Sequence, residues 1–217
     1  MLFRSLVGGG AVDIVNLENA YWTELPDKEE AGTPDIVGAV ALGAVINLYE
    51  KIGWKAIIKH EAILTSYALS KMKKVPGISL YGDTDPKNAH NRLGVISFNV
   101  RKLPHALVAS ILSCEWGIGT RNGCFCAHPY VKCLLRVNEE DARVMEQQIL
   151  ARDRSTLPGT VRISFGIYNT KEEIDYFCEA LKAIAQSKYR AGYTLDKERG
   201  EYCRNDFKEE FNRFFGF

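Results

Sequence analysis

The sequence lacks an excess of charge of either sign. Its 217 residues carry 28 Lys and Arg against 27 Asp and Glu, for a net charge of +1. Nucleic-acid-binding domains usually present a strongly basic surface, so this balance argues against a nucleic-acid partner. Hydrophobic residues make up 46% of the chain and aromatic residues 11%. That composition is typical of a folded globular protein and excludes disorder as its main state.

Long apolar runs and an export signal are also missing. The longest stretch without a charged residue, residues 36–49, has 14 residues, whereas a membrane-spanning helix needs about 20. Near the start, Arg4 interrupts the apolar run and Gly8-Gly9-Gly10 follows before a signal-peptide core can develop. We therefore predict no membrane span, no membrane partner and a cytoplasmic location.

Cysteine is too scarce for a disulfide scaffold. Without an export signal, the cysteines are predicted to be reduced thiols available for thiolate or metal chemistry. The six are Cys114, Cys124, Cys126, Cys133, Cys178 and Cys203.

Helical and strand-like segments alternate, which predicts an α/β or α+β fold. Residues 12–17 alternate like a strand, and residues 20–23 are its predicted hairpin partner. A helix should begin at Thr33, as N-cap, and end before Gly53. It is apolar almost all round, so we expect it inside the molecule or at a subunit interface.

The rest of the chain continues this alternation. Glu61 falls on the apolar stripe of its helix and should need a polar partner. The aromatic-rich segment after residue 188 places Phe207, Phe211 and Phe214 on one helical face, which predicts a short docked helix or, alternatively, a partner-binding helix. The predicted elements are helices at 54–74, 104–112, 139–152 and 171–188, strands at 78–81, 95–100 and 159–165, a short strand containing Ile118, and a loop at 121–130.

Five ordered segments together resemble the C-terminal part of the class V aminotransferase superfamily, in particular its cysteine desulfurase and selenocysteine lyase branch. They occur in the family's order, with similar spacing, over about residues 8–188. The segments are Glu30-Ala31-Gly32-Thr33-Pro34, Leu80-Tyr81-Gly82, Gly94-Val95-Ile96-Ser97-Phe98, Gly117-Ile118-Gly119-Thr120-Arg121-Asn122-Gly123 with Cys126-Ala127-His128-Pro129, and Arg162-Ile163-Ser164 with Tyr168-Asn169-Thr170-Lys171-Glu172-Glu173-Ile174-Asp175.

The resemblance implies fold type I of the pyridoxal 5'-phosphate (PLP) enzymes, with a mixed sheet and packed helices. Residues 1–53 would then be the end of the large domain and its linking helix, 54–188 the small C-terminal α/β domain, and 189–217 an aromatic-rich extension. The family's Ser/Thr-x-His-Lys segment, whose lysine forms the Schiff base with PLP, does not occur in this sequence; Lys59-His60 has the reverse order. The chain thus looks like a C-terminal portion that needs a homodimer or a partner chain supplying the N-terminal half.

By the same resemblance, Cys126 is the thiol that attacks the substrate's sulfur. A nucleophilic cysteine needs partial exposure and nearby positive charge, which Arg121 and His128 can supply; the alternative is a small buried hydrophobe. The family's usual His-His before this cysteine is Cys124-Phe125 here.

Four further residues take family roles. Arg162 matches the arginine that binds the substrate α-carboxylate, a task suited to the two-pronged guanidinium, although a surface ion pair is the alternative. Arg121 matches a second arginine of the active-site loop. Thr33, with Gly32, matches the segment that reaches the cofactor phosphate of the partner subunit, and Asp35 would weaken anion binding there.

A zinc site is the competing interpretation of the cysteine-rich loop, because Cys124, Cys126, His128 and Cys133 carry the usual ligand atoms. Common structural zinc sites separate paired cysteines by two or more residues, so this spacing favours no metal. A redox pair of Cys124 and Cys126 would form a strained ring.

The sequence therefore predicts the C-terminal portion of a PLP-dependent enzyme acting on an amino acid, with desulfurase-like sulfur transfer as its chemistry. Transamination or another lyase reaction is the next candidate chemistry. A non-catalytic α/β module for dimerisation or assembly is the alternative from a different class.

Overall fold

The computed structural model describes residues 8–206 and divides the chain after Trp54 into two compact units. The first contains a β-hairpin and one long helix. The second contains a four-stranded sheet, its packed helices and a second hairpin.

The first unit confirms the predicted N-terminal hairpin. Strand β1 (Val12–Val15) pairs antiparallel with β2 (Ala20–Trp22). The Asn16 side chain closes the turn between them by accepting the backbone N–H of Asn19 at 2.7 Å, which is a typical use of asparagine in turns. A short 3-10 turn (Asp27–Glu29) then leads towards helix α1 (Ile36–Ile52).

The prediction that Thr33 caps α1 is wrong. Asp35 is the N-cap, and its carboxylate accepts the backbone N–H of Gly38 at 2.8 Å. The side chain of an N-cap must reach amides two or three residues further along, which Asp35 does because the helix begins only at Ile36. An added Cβ at Gly38 would lie 2.1 Å from Asp35 Oδ2, so a larger residue there would displace the capping carboxylate.

Helix α1 exposes its apolar side chains. None of its residues is buried in the described structure, and Val37 and Val40 are 81% and 70% exposed. Residues 8–206 therefore leave the apolar side chains of this helix uncovered, and the interface stays a prediction.

No single helix among residues 8–206 is long and apolar enough to cross a membrane. Only α1 and the next helix, α2 (Trp54–Met72), satisfy length and composition when they are taken together as a bent pair.

The second unit is built on an antiparallel sheet with strand order β3-β4-β6-β5. Its strands are β3 (Ile78–Leu80), β4 (Val95–Val100), β5 (Arg121–Gly123) and β6 (Thr160–Ser164). Its helices after α2 are α3 (His105–Trp116), α4 (His128–Leu134), α5 (Glu139–Leu150) and α6 (Lys171–Ala185), with a 3-10 segment at Pro86–Asn91.

The core lies where α2, α3 and α6 pack against β4 and β6. Phe98 of β4 and Phe177 of α6 meet edge to face, with ring centres 5.7 Å apart. Glu61 finds the predicted polar partner in the backbone N–H of Gly94. The predicted mixed α/β arrangement is confirmed, and most predicted elements appear within a few residues of their expected bounds.

Two local predictions fail. Ile118 is not in a strand, because the pairing with β6 begins only at Arg121. The predicted loop at 121–130 instead holds β5 and the start of α4, since Arg121–Gly123 completes the sheet edge. A second hairpin, β7 (Tyr193–Asp196) with β8 (Glu201–Arg204), was not predicted from the sequence. The aromatic helix predicted around Phe207, Phe211 and Phe214 lies outside the described residues.

Candidate active site

The two predicted substrate-binding arginines lie opposite each other at the sheet edge. Arg121 of β5 pairs with Arg162 of β6, and Arg162 pairs in turn with Ser97 of β4. Directly paired residues project from the same face of a sheet, whereas their neighbours Phe98 and Val161 point into the core. Two like charges side by side destabilise a strand pair, so this arrangement is suited to an anion that lies between them.

The predicted nucleophile follows directly after β5, in a left-handed turn. Phe125 and Cys126 have φ angles of 52° and 60°, a region that non-glycine residues rarely adopt. The turn is closed by the backbone N–H of Ala127, which donates to the Cys124 carbonyl at 2.8 Å. It leaves Cys126 exposed, as a reacting thiol must be.

Phe125 connects this turn with the arginine pair. Its ring lies beneath the Arg162 guanidinium, 4.6 Å from ring centre to Cζ. A cation over an aromatic face is attracted by the ring's quadrupole, which restrains the arginine without neutralising it. The structure therefore brings Arg121, Arg162 and the turn holding Cys126 to one corner of the sheet.

Cys124 differs from Cys126 in its exposure to solvent. It is 8% exposed, and its thiol donates to the carbonyl of Pro158 at 3.0 Å. Burial raises the pKa of this thiol, a shift that the charge of Lys132 only partly opposes. Cys124 is therefore held as a neutral thiol, while Cys126 faces solvent.

The zinc interpretation gains no geometric support. No group of three or more His, Cys, Asp or Glu side chains within residues 8–206 is placed to hold a metal ion. Cys124 points to the Pro158 carbonyl instead of sharing a site with Cys126.

Thr33 and Gly32 belong to the first unit. Gly32 turns the chain with a φ of 87°, and its N–H donates to the Gly9 carbonyl at 2.8 Å, so this amide is engaged within the protein. Thr33 is exposed, and the hydrogen bonds of the described chain include none from its hydroxyl. The group offered to a ligand at this point is thus the Thr33 hydroxyl.

Sequence reasoning missed three contributors to this corner. The family motif marks Phe125 only as a replacement for a histidine that usually stands before the cysteine. His105 lies 3.0 Å from both the Asn122 side chain and the Leu157 carbonyl, and so joins β5 to the loop before β6. Thr160 is 1% exposed, and its hydroxyl has no partner among the described residues. The alternation of β6 could have placed Thr160 on the face of Arg162, but the other two contacts depend on packing.

The chain belongs to the class V aminotransferase family, whose model matches residues 2–177. The family is PLP-dependent, and the fold is that of the C-terminal portion of a fold type I PLP enzyme. Among curated relatives, a probable cysteine desulfurase of Staphylococcus aureus (strain Mu50 / ATCC 700699) is 39% identical over 175 residues, which are 81% of this chain and 36% of the relative. A probable cysteine desulfurase of Halalkalibacterium halodurans is 36% identical with the same coverage.

Solved structures give the same match. The apo structure of a cysteine desulfurase from Thermococcus onnurineus NA1 has a TM-score of 0.57 and 32% identity, covering 84% of this chain and 39% of that one. The cysteine desulfurase CsdA of Escherichia coli has a TM-score of 0.58 over 86% of this chain and 39% of its own, and at 23% identity it supports the fold alone. The chain thus spans a little over a third of the length of these relatives.

Proposed function

We propose that this chain is the sulfur-accepting C-terminal portion of a PLP-dependent cysteine desulfurase. The observation that carries the proposal is the exposed Cys126 in a left-handed turn, coupled through Phe125 to the Arg121 and Arg162 pair. The names of the relatives support cysteine as the substrate.

Cys126 accepts sulfur in this proposal. Its thiolate attacks the sulfur of the substrate cysteine, and the bond between that sulfur and the substrate's Cβ breaks. The bond electrons stay with the substrate carbon, which takes a proton and leaves as alanine, while Cys126 becomes a persulfide. An exposed thiol on a turn suits this step, because the sulfur must later be passed to an acceptor. A cytoplasmic location would keep the thiol reduced.

Arg162 and Arg121 orient the substrate. Arg162 presents its guanidinium on the outer face of the sheet, with the Phe125 ring below it and Ser97 beside it, and so binds the α-carboxylate with two parallel hydrogen bonds. Arg121 adds a second positive charge on the same face.

This chain contains only some of the residues that would bind PLP. When bound, PLP supplies the electron withdrawal that loosens bonds at the substrate's carbon atoms. The Thr33 hydroxyl, which has no partner among the described residues, can donate to its phosphate, whereas Gly32 shapes the turn and already uses its own N–H. The cofactor-bearing lysine motif is absent from this sequence, so the remaining cofactor contacts must come from elsewhere in the complete protein, either upstream or in a partner.

The proposed function can be tested by supplying the upstream segment that this chain lacks. We would combine this chain with the upstream segment of a curated relative, add PLP and cysteine, and measure alanine together with protein-bound sulfur. We expect equal amounts of alanine and bound sulfur in the first turnover, with the sulfur on Cys126 by peptide mapping.

Cys126→Ser should abolish bound sulfur, with at least about a hundredfold loss of turnover, because serine cannot hold a persulfide. Cys133→Ser, at an exposed thiol on α4, is the matched control and should retain activity. PLP binding without sulfur on Cys126 would contradict the desulfurase assignment. A pairing of the two segments that binds no PLP would favour the assembly module instead.

A further inference from the structure

The second hairpin lies beyond the part of the chain that the family model matches, which ends at residue 177. It contacts the loop between α5 and β6 mainly through Arg154, whereas Arg152 of the same loop adds only an exposed ion pair with Glu198. Arg154 donates its backbone N–H to the Lys197 carbonyl at 2.8 Å and its guanidinium to the Glu198 carbonyl. Gly200 lies against the same arginine, because a Cβ at this position would be 3.0 Å from Arg154 Cβ.

The opposite side of this loop holds β5 in place. The Pro158 carbonyl accepts the Cys124 thiol, and the Leu157 carbonyl accepts His105 Nε2–H, each at 3.0 Å. Gly159 lies so close to β5 that an added Cβ would be 2.7 Å from Gly123 Cα. The loop therefore packs against β5 and the start of the turn that holds Cys126.

The hairpin has its own anchor on α3. Ser110 Oγ donates to the Tyr202 carbonyl, and the Tyr193 hydroxyl donates to Glu115 Oε1 at 2.8 Å. The backbone N–H of Arg190 also donates to Glu115, at 3.1 Å. Because α3 belongs to the core, these bonds tie the hairpin to the rigid part of the unit, and the loop is held between the hairpin and β5.

We infer that the β7–β8 hairpin is a positioning element for the Cys126 turn: it clamps the 154–159 loop, which keeps Cys124 buried and β5 in register. The importance of Cys126 rests on the proposed function, whereas the burial of Cys124 by the clamp does not. Residues 193–204 are thus assigned a role at the active-site corner.

Two glycines give a matched test in the full chain. Gly200→Ala adds a Cβ 3.1 Å from the Arg154 carbonyl at a φ of 73° and should push the hairpin off the loop. Gly192→Ala introduces the same left-handed strain, at a φ of 99°, but its Cβ meets only Asn205 Nδ2 at 3.9 Å. The rate of iodoacetamide labelling of each cysteine, read by mass spectrometry, reports the opening of the loop.

We expect Cys124 to be labelled about tenfold faster in Gly200→Ala and within about twofold of wild type in Gly192→Ala, because only the first variant lowers the free energy of local opening at the loop. Cys178, a half-buried thiol of α6, should keep its wild-type rate in both variants. Arg154→Ala, which removes the bond to Glu198, should act like Gly200→Ala. Arg152→Ala, which removes only an exposed ion pair with the Glu198 carboxylate, should not.

Unchanged labelling of Cys124 in both Gly200→Ala and Arg154→Ala would overturn the clamp. Equal acceleration of Cys124 and Cys178 would also overturn it, because the effect would then be general unfolding. Failure of Cys126 to accept sulfur in the combined enzyme would contradict the proposed function and leave the Cys124 result unaffected.

Discussion

The guanidinium of Arg162 lies over the ring of Phe125, at 4.6 Å from Cζ to ring centre, and Phe125 immediately precedes the exposed Cys126. The contact links the residue proposed to bind substrate with the turn that carries the proposed nucleophile. Since Phe125 and Cys126 both have positive φ angles, the turn is costly on its own and needs such support.

The Arg162–Phe125 contact should be measurable as a coupling energy. We expect a double-mutant cycle of Phe125→Leu and Arg162→Met to give about 0.5–1 kcal/mol in the free energy of unfolding, the usual size for a partly exposed cation–aromatic pair. Urea denaturation of the four proteins provides the measurement. A cycle of Phe125→Leu with Arg121→Met, across the strand pair, is the control; equal coupling in both cycles would contradict a specific contact.

Cys126 should be the most reactive of the six thiols. Limiting iodoacetamide at pH 7.5 should label it first, because it is exposed in the turn that directly follows the strand of Arg121. Burial, reinforced by the negative charge of Asp175, raises the pKa of Cys178 to about 11. A thiol with a pKa near 11 has about a hundredfold less thiolate at neutral pH than one near 9, so Cys178 should react late and gain most as pH rises. Early labelling of Cys114 or Cys178 would contradict the placement of the turn.

Asp35 and Thr33 should have different roles, Asp35 in the stability of α1 and Thr33 in PLP binding. Asp35→Ala should weaken the start of α1 by about 1 kcal/mol, because it removes the acceptor of the Gly38 amide. Thr33→Ala should leave the helix unchanged and instead weaken PLP binding in the combined enzyme. Hydrogen exchange of the first α1 amides measures the former, and PLP absorbance measures the latter. Loss of amide protection in Thr33→Ala would show that the threonine caps the helix after all.

The Asp175 carboxylate should contribute stability only when it is ionised. Lys71 Nζ lies 2.7 Å from Asp175 Oδ1, and the Tyr67 hydroxyl donates to Oδ2 at 2.8 Å. The bond from Lys71, followed by that from Tyr67, holds the pKa of Asp175 below its usual value. The stabilisation is therefore complete above the unfolded pKa of about 4 and is lost as pH falls through the lower folded value.

Asp175→Asn should accordingly lower the urea midpoint at pH 7, and the difference from wild type should shrink steadily as pH falls below about 4. Glu179→Gln, which removes one negative charge from an exposed position four residues further along α6, should show little change at either pH. A deficit of the same size at pH 7 and at acid pH would mean that Asp175 acts by packing and not by charge.

The apolar surface of α1 should cause association. We expect the chain to self-associate, or to pair with the upstream segment, at micromolar concentration in sedimentation velocity, because contiguous exposed apolar surface favours burial. Val37→Glu, at an 81% exposed position, should shift the chain towards monomer. Val144→Glu, at a 50% exposed valine of α5, is the control for added charge. A compact wild-type monomer would contradict the interface.

Local periodicity is sufficient to predict most of the second unit. In β4 the alternate residues Ile96, Phe98 and Val100 are buried, and in α6 the helically spaced apolar residues are buried as well, namely Ile174, Phe177, Leu181 and Ile184. Such patterns work because a strand repeats every two residues and a helix every 3.6, whatever the rest of the chain does. The ordered motifs likewise indicate Arg121, Cys126 and Arg162 as candidate site residues from the sequence alone.

The sequence by itself therefore determined the family, most of the element order as far as α6, and the residue types available for chemistry. Only the tertiary structure decided that Arg121 lies opposite Arg162, that Phe125 supports the guanidinium, and that Pro158 holds Cys124 as a buried thiol. Strand register and loop packing set these contacts between residues 34 to 41 positions apart, and a periodic pattern carries no information on which distant residues will meet. Even the choice of Asp35 over Thr33 as helix cap depended on where the first turn closed, because two good capping residues stood two positions apart and only the backbone path could select between them.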